Sequence, residues 1–337
     1  MTSRTALMLI AAPIVLAASS STAGAQAWLP PKGEGAVSVI YQDLFDKYHQ
    51  FPGIGKVDAG PTTSRSMMLD VTYGVTDKLA ISLGIPWVSS KYVGPTPHPN
   101  ADLSGPTPVF YGATELDDGN YHGSWQDVRF DVRYNLTKKG VVLTPFIGTS
   151  VPSRDYIWLA HAAPGTRQKQ LQIGIAGAKM LDTVVPGLFF QARYAYGITE
   201  KVLDISNNRS SAGVEIGYFL TPKLRVMALG AGQLSHGGID MIANARVRLP
   251  PEQFLNHDRI TRINFLNLGG GISYSLTERV DVFGSMVRTV AARNGHLIDR
   301  GLSMGLSWSF SARRAKDSAI TRAQQSLARC VCAKSAS

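Results

Sequence analysis

The chain has 337 residues, a formal net charge of +10 and only two cysteines, Cys330 and Cys332, so a disulfide-stapled fold is excluded. The charge sits at the ends: the stretch after Phe310 carries six basic residues against Asp317, a net +5, and Arg4 adds one more, leaving +4 for the body. With no basic stripe interleaved with aromatics, the charge does not mark a nucleic-acid partner.

Residues 1–25 read as a cleaved secretory signal. Arg4 precedes the apolar run Ala6 to Ala18, and Ala23-Gly24-Ala25 supplies the small-x-small cleavage pattern. That run is shorter than the roughly 20 residues a helix needs to cross a bilayer. No later stretch approaches that length. A lead-in, Trp28-Leu29-Pro30-Pro31, opens the body, which is predicted to run over residues 26–310.

Period-two alternation then recurs along the whole body and predicts twelve strands, near 36–45, 65–74, 78–90, 124–135, 141–151, 167–180, 187–196, 207–219, 223–236, 259–275, 280–291 and 299–310. Four of the connections share the pattern Tyr-x-(Val/Leu)-Thr-x-(Lys/Arg), at Tyr73, Tyr134, Tyr218 and Tyr274, and a fifth tight turn spans Asp182 to Gly187. The others, about 46–64, 91–123, 152–166, 197–207, 237–258 and 292–297, read as polar loops, most of them long. Short turns alternating with long loops predict an all-β, antiparallel, up-and-down transmembrane barrel in the outer membrane of a Gram-negative cell. An even strand count places both ends on the periplasmic side.

In the third strand Leu79, Ile81, Leu83, Ile85 and Trp87 alternate with small residues, which suits a lipid-facing row. In the fourth, Val128, Phe130, Val132 and Tyr134 alternate with Asp127, Arg129, Asp131 and Arg133. Four charges on one face would make a costly dry core but a natural wet lumen. Asp70, Gln170, Gln172, Gln191, Arg193, Arg209, Glu215 and Asn267 fall in the same inward class. All of these except Gln191 and Asn267 make up the candidate lining and selectivity set of ten, and the same charges would also serve as a salt-bridged plug. The repeated tyrosines belong to an interfacial girdle on the outward face.

Two stretches resemble a known family. Gly123-Ser124-Trp125-Gln126-Asp127-Val128-Arg129 is similar to the Gly-x-x-Asp-hydrophobic-x pattern of the outer-membrane family named for the meta-pathway of phenol degradation. Gly305-Leu306-Ser307-Trp308-Ser309-Phe310 resembles the closing signal read by the barrel-assembly machinery. The resemblance covers about 28–310 and implies a transport barrel for small, aromatic or hydrophobic compounds, with no cofactor. It departs at residues 311–337, a basic periplasmic extension that follows where the closing signal normally ends a chain.

All seven histidines, His49, His98, His122, His161, His236, His257 and His296, fall in or beside predicted outer loops. Convergent loops would bring imidazoles within metal reach, but no His-x-His or His-x₃-His pair supports this and no metal is expected. The competing class is an outer-membrane lipid hydrolase, since a known phospholipase is also a twelve-stranded barrel with a Ser-His pair on its wall. Ser235-His236 and His122-Gly123-Ser124 are the only close pairs in sequence, and strand neighbours point to opposite faces, so no catalytic residue is assigned. The remaining alternative is a closed structural or surface-binding barrel. The proline-rich loop 91–123 reads equally as a constriction or selectivity element folded into the mouth and as an exposed loop, its prolines favouring limited order, and the sequence sets no oligomeric state.

Overall fold

The structure, a computed structural model, describes residues 27–102, 104–137, 140–241 and 248–312. The signal segment, nearly all of the basic extension, and Cys330 and Cys332 lie outside the described residues.

Strands β1 (Glu34–Phe51), β2 (Gly55–Gly74) and β3 (Leu79–Tyr92) are followed by a small outer hairpin, β4 (Asn100–Asp102) and β5 (Val109–Tyr111). Then come β6 (His122–Trp125), β7 (Val128–Tyr134), β8 (Val142–Val151), β9 (Gln170–Met180), β10 (Leu188–Thr199), β11 (Arg209–Phe219) and β12 (Leu224–Ser235). Two short helices, α1 (Pro251–Leu255) and α2 (His257–Ile260), precede β13 (Asn264–Ser275), β14 (Val280–Arg293) and β15 (Gly295–Ser311). With β6 and β7 counted as one interrupted strand, twelve antiparallel strands pair in chain order and β1 closes on β15. Closure leaves no sheet edge, which is what a strand structure needs where no water can satisfy backbone groups.

The burial pattern is inverted relative to a water-soluble sheet. Ser38, Gln42, Ser66, Ser82, Thr144, Gln191, Glu215, Asn267, Ser303 and Ser307 are buried, while Leu69, Leu83, Phe130, Ile147, Ile173, Ile216, Leu268, Met304 and Leu306 are exposed on the outer wall. The outer band is the lipid face, and the polar residues look into the barrel. No described helix is long and apolar enough to cross a membrane, which leaves the strands as the spanning elements.

The four Thr-containing turns lie at one end. In three of them the threonine hydroxyl accepts two backbone N–H groups of its own turn: Thr76 Oγ1 from Lys78 and Leu79, Thr221 Oγ1 from Lys223 and Leu224, Thr277 Oγ1 from Arg279 and Val280. In the fourth, Thr137 Oγ1 instead accepts from Leu143 N and donates to Val141 O. Tyr134, Tyr218 and Tyr274 are exposed beside these turns. Tyr73 is half-buried instead, because it stacks on Phe310 with ring centroids 6.4 Å apart across Gly35, where a Cβ would lie 2.7 Å from Phe310 Cζ.

Three boundaries depart from the sequence reading. The stretch 46–64 is not a loop: β1 and β2 run on as a paired hairpin to Phe51 and Gly55, with register shifts between Phe45 and Tyr48. The connection at 292–297 shrinks to Asn294, whose φ of 54° turns β14 directly into β15. The fourth strand is broken after Trp125. Pro86 on β3 has no N–H for the ladder and its carbonyl accepts from Gln126 N, so one extra residue is accommodated there as a bulge. Both Gln126 and Asp127 consequently face the cavity while Trp125 stays outside.

At the loop end the connections fold into a cap with its own apolar cluster. Phe51, Met241 and Phe254 are buried together, with Val57, Phe110 and Leu249 packed against them. Trp158 of the 152–166 connection lies between two guanidiniums, Arg167 at 3.9 Å and Arg259 of α2 at 5.1 Å. At the turn end, residues 27–31 return into the barrel mouth: Ala27 packs with Val142, Ala176 and Ala178, and Thr144 Oγ1 donates to Ala27 O at 2.7 Å.

Candidate functional site: a polar lumen under a loop cap

A cavity of about 590 Å³ runs inside the barrel. It begins at Trp28, Pro31, Glu34 and Phe310 and reaches Gly165, Thr166 and Gln168 under the cap. All ten candidate residues, Asp70, Asp127, Arg129, Asp131, Arg133, Gln170, Gln172, Arg193, Arg209 and Glu215, line it. Gln191 and Asn267 line it as well.

The lining is two-sided. On the β14–β15–β1 side Glu34 at the mouth is the only charged lining residue, and the polar groups pair with one another, Ser38 Oγ donating to Ser307 Oγ (2.9 Å), Gln42 Nε2 to Ser303 Oγ (3.0 Å) and Thr289 Oγ1 to Asn267 Oδ1 (2.8 Å). The opposite side carries the charges. Arg133 Nε donates to Asp131 Oδ1 at 2.7 Å, and its Nη2 reaches Ser82 Oγ and Thr72 Oγ1. Gln191 Nε2 donates to Glu215 Oε2 at 2.6 Å, and Arg193 lies 4.0 Å over the Phe146 ring. Five acidic residues (Glu34, Asp70, Asp127, Asp131, Glu215) face five arginines (129, 133, 193, 209, 225), so the lining as a whole is neutral.

The cap meets this ladder through a tyrosine that the sequence reading did not single out. Tyr156 Oη donates to Asp127 Oδ1, and Gln126 Nε2 donates to Pro164 O at 2.6 Å. Burial, followed by the charge and hydrogen bond of Asp127, pushes the Tyr156 phenol well above its ordinary range. The connection 152–166, rather than the proline-rich 91–123, therefore forms the roof of the cavity, and the latter stacks outside it. The alternation of the strands supplied the lining; nothing local to Tyr156 marks it as a tether.

Five of the seven histidines converge in the cap, although the sequence shows no paired spacing. His98 and His257 face each other with Nε2 atoms 3.3 Å apart, His98 and His161 rings lie 4.3 Å apart, and His49 and His296 rings 5.1 Å. His122 instead pairs with exposed Asp118 at 2.8 Å, its hydrogen bond holding that carboxyl down at about 2.

His236 sits on the outer wall. Its partner is not the adjacent Ser235 but Ser210 on β11, whose Oγ lies 2.6 Å from His236 Nε2 and 2.8 Å from Tyr194 Oη. Register alone brings the two together: Ser210 and Leu234 are opposite one another, and His236 follows two residues later on the same face. No carboxylate contacts His236 among the described residues.

The fold is that of outer-membrane channels. An outer-membrane channel from Pseudomonas putida F1 superposes with a TM-score of 0.63 over 86% of this chain and 100% of its own, at 14% identity. The NanC porin (TM-score 0.45, 10% identity, 80% of this chain and 98% of its own) and the KdgM porin (0.41, 8%, 81% and 99%) are too distant to carry any argument. No protein family and no curated protein matches the chain by sequence, so the family named for the meta-pathway of phenol degradation is not among the matches. At 14% identity the likeness carries the barrel fold alone.

Proposed function

We propose that this protein is an outer-membrane channel for passive passage of small molecules, held in a closed state by its loop cap and its N-terminal segment. The observation that carries this reading is a continuous cavity, with acidic, basic and amide side chains set along it, inside a barrel whose outer wall is apolar. The ten candidate residues act as its selectivity lining, and no cofactor takes part. Because the five acidic and five basic lining groups cancel, the lumen does not concentrate ions of one sign, which suits a neutral or weakly charged solute. The resemblance noted in the sequence favours an aromatic or hydrophobic one. Passage requires the roof at Tyr156 and the segment at Trp28 to move, and such loop motions are ordinary on microsecond and longer timescales.

The test is flux into liposomes carrying the purified barrel, with a small sugar compared to a small aromatic acid. Entry of the aromatic acid in preference to the sugar supports selective passage; entry of both at rates set by size makes it a general pore. Failure of both to enter, even after the cap is loosened, removes the channel reading in favour of a closed structural barrel.

A second reading rests on Ser210 and His236. Their 2.6 Å hydrogen bond on the lipid-facing wall is the arrangement a membrane-surface hydrolase would need for its nucleophile and base. Lipid hydrolysis by purified protein that is abolished by Ser210→Ala would establish it.

A further inference from the structure

The geometry points to a metal site in the cap: we propose that His98 Nε2, His257 Nε2 and a carboxylate oxygen of Asp258 bind one divalent transition-metal ion, zinc by preference, tying the connection after β3 to α2.

His98 Nδ1 lies 3.3 Å from Asp117 Oδ2, and His257 Nδ1 lies 2.5 Å from Phe254 O. A carboxylate and a carbonyl only accept, so each Nδ1 carries a hydrogen, and the two rings turn their Nε2 atoms toward one another. At 3.3 Å the two Nε2 atoms are placed to share one cation, a proton or a metal ion, between them. Asp258, wholly buried, adds a negative charge: its Oδ1 is 3.0 Å from His257 Nε2, yet the approach lacks hydrogen-bond geometry, and no described residue donates to either of its oxygens. A wholly buried carboxylate without donors, set beside two converging imidazole nitrogens, is costly as an apo arrangement and ordinary as a ligand set.

Two ligands each about 2.0–2.1 Å from a tetrahedral zinc lie roughly 3.4 Å apart, close to the His98–His257 separation. The ligand atoms of His98, His257 and Asp258 all fall within 4.8 Å of one another. Imidazole with carboxylate is a donor set suited to zinc, and three protein ligands leave a fourth position exchangeable.

Asp117 is an orienting residue: besides its contact with His98 Nδ1 it accepts from the backbone N–H groups of His98 (2.9 Å), His161 (3.1 Å) and Ala162 (3.0 Å). One carboxylate thus fixes the His98 ring and joins the two connections that roof the barrel. This is the carboxylate–histidine arrangement that commonly backs a metal ligand. His161 gives its Nε2 hydrogen to Thr96 O and keeps an unpartnered Nδ1 nearby.

The decisive experiment uses the full barrel chain without a histidine tag and with Cys330→Ser and Cys332→Ser, folded in detergent and stripped with chelator. Titration with Co²⁺, followed by visible absorption, and zinc content by elemental analysis should each give one tight equivalent per chain. His98→Ala/His257→Ala and Asp258→Ala should abolish that equivalent, Asp117→Asn should weaken it 10–100-fold, and His122→Ala should leave it intact. Absence of a tight equivalent in the unsubstituted-ligand protein overturns the site, as does persistence of the equivalent in the double variant. If a variant fails to fold by circular dichroism, X-ray absorption of the zinc-loaded chain decides instead. Two imidazoles and an oxygen in the first shell support the assignment, and a shell without two imidazoles overturns it.

Discussion

Tyr156 Oη donates to Asp127 Oδ1, joining the roof of the cavity to the head of its charged ladder. The link exists because Asp127, in phase with Arg129, Asp131 and Arg133, faces inward beside the 152–166 connection, and the bulge opposite Pro86 brings Gln126 in next to it. Hydrogen bonds to charged groups are worth about 1.5–3 kcal/mol, so Tyr156→Phe should shift the cap toward its open form by an amount of that order. Single-channel recordings should show more frequent openings with an unchanged barrel fold. Identical open probability in the wild type and the variant would mean that the tether does not hold the roof.

The same phenol gives a pH dependence whose sign is fixed. Its folded pKa is raised, so above the unfolded value of about 10 the docked state binds more protons than the released one. The contribution of Tyr156 is fully present below that value and is lost as pH rises above it. Hydrogen exchange of residues 152–166 should accelerate above about pH 10 in the wild type, and that component should be missing from Tyr156→Phe.

Selectivity should respond to the balance of the lining. Arg193→Glu with Arg209→Glu replaces two of the five lining arginines by acids and leaves the lumen strongly negative. In a Tyr156→Phe background, reversal potentials in a salt gradient should move from near-neutral to cation-selective. A pair of substitutions that leaves the reversal potential unmoved would place the permeation path elsewhere.

At the opposite mouth, Thr144 is fully buried and donates to Ala27 O, with its oxygen also 2.9 Å from Asn135 Oδ1. Thr144→Val strands those acceptors and should weaken docking of residues 27–31 by about 1–3 kcal/mol. Limited proteolysis should then cut ahead of Gly33 faster than in the wild type, while the heat-resistant barrel band stays intact.

The barrel itself is written in local pattern. Leu79 to Trp87 and Asp127 to Arg133 alternate with a period of two, and each Thr-containing turn carries the residue that satisfies its own backbone. Strand number, antiparallel order and the inward class of Asp70, Arg129, Asp131, Arg133, Arg193 and Glu215 follow from such short-range signals, because facing lipid or lumen is decided residue by residue. Partnerships across loops have no such signal. Tyr156 meets Asp127 from 29 residues away, Ser210 meets His236 through strand register, and His98 meets His257 from 159 residues away. Which loop roofs the cavity and which histidines converge depend on how the connections pack on one another above the closed barrel. Only the tertiary structure could decide that, since contacts between distant connections are set by the closure and register of the strands beneath them.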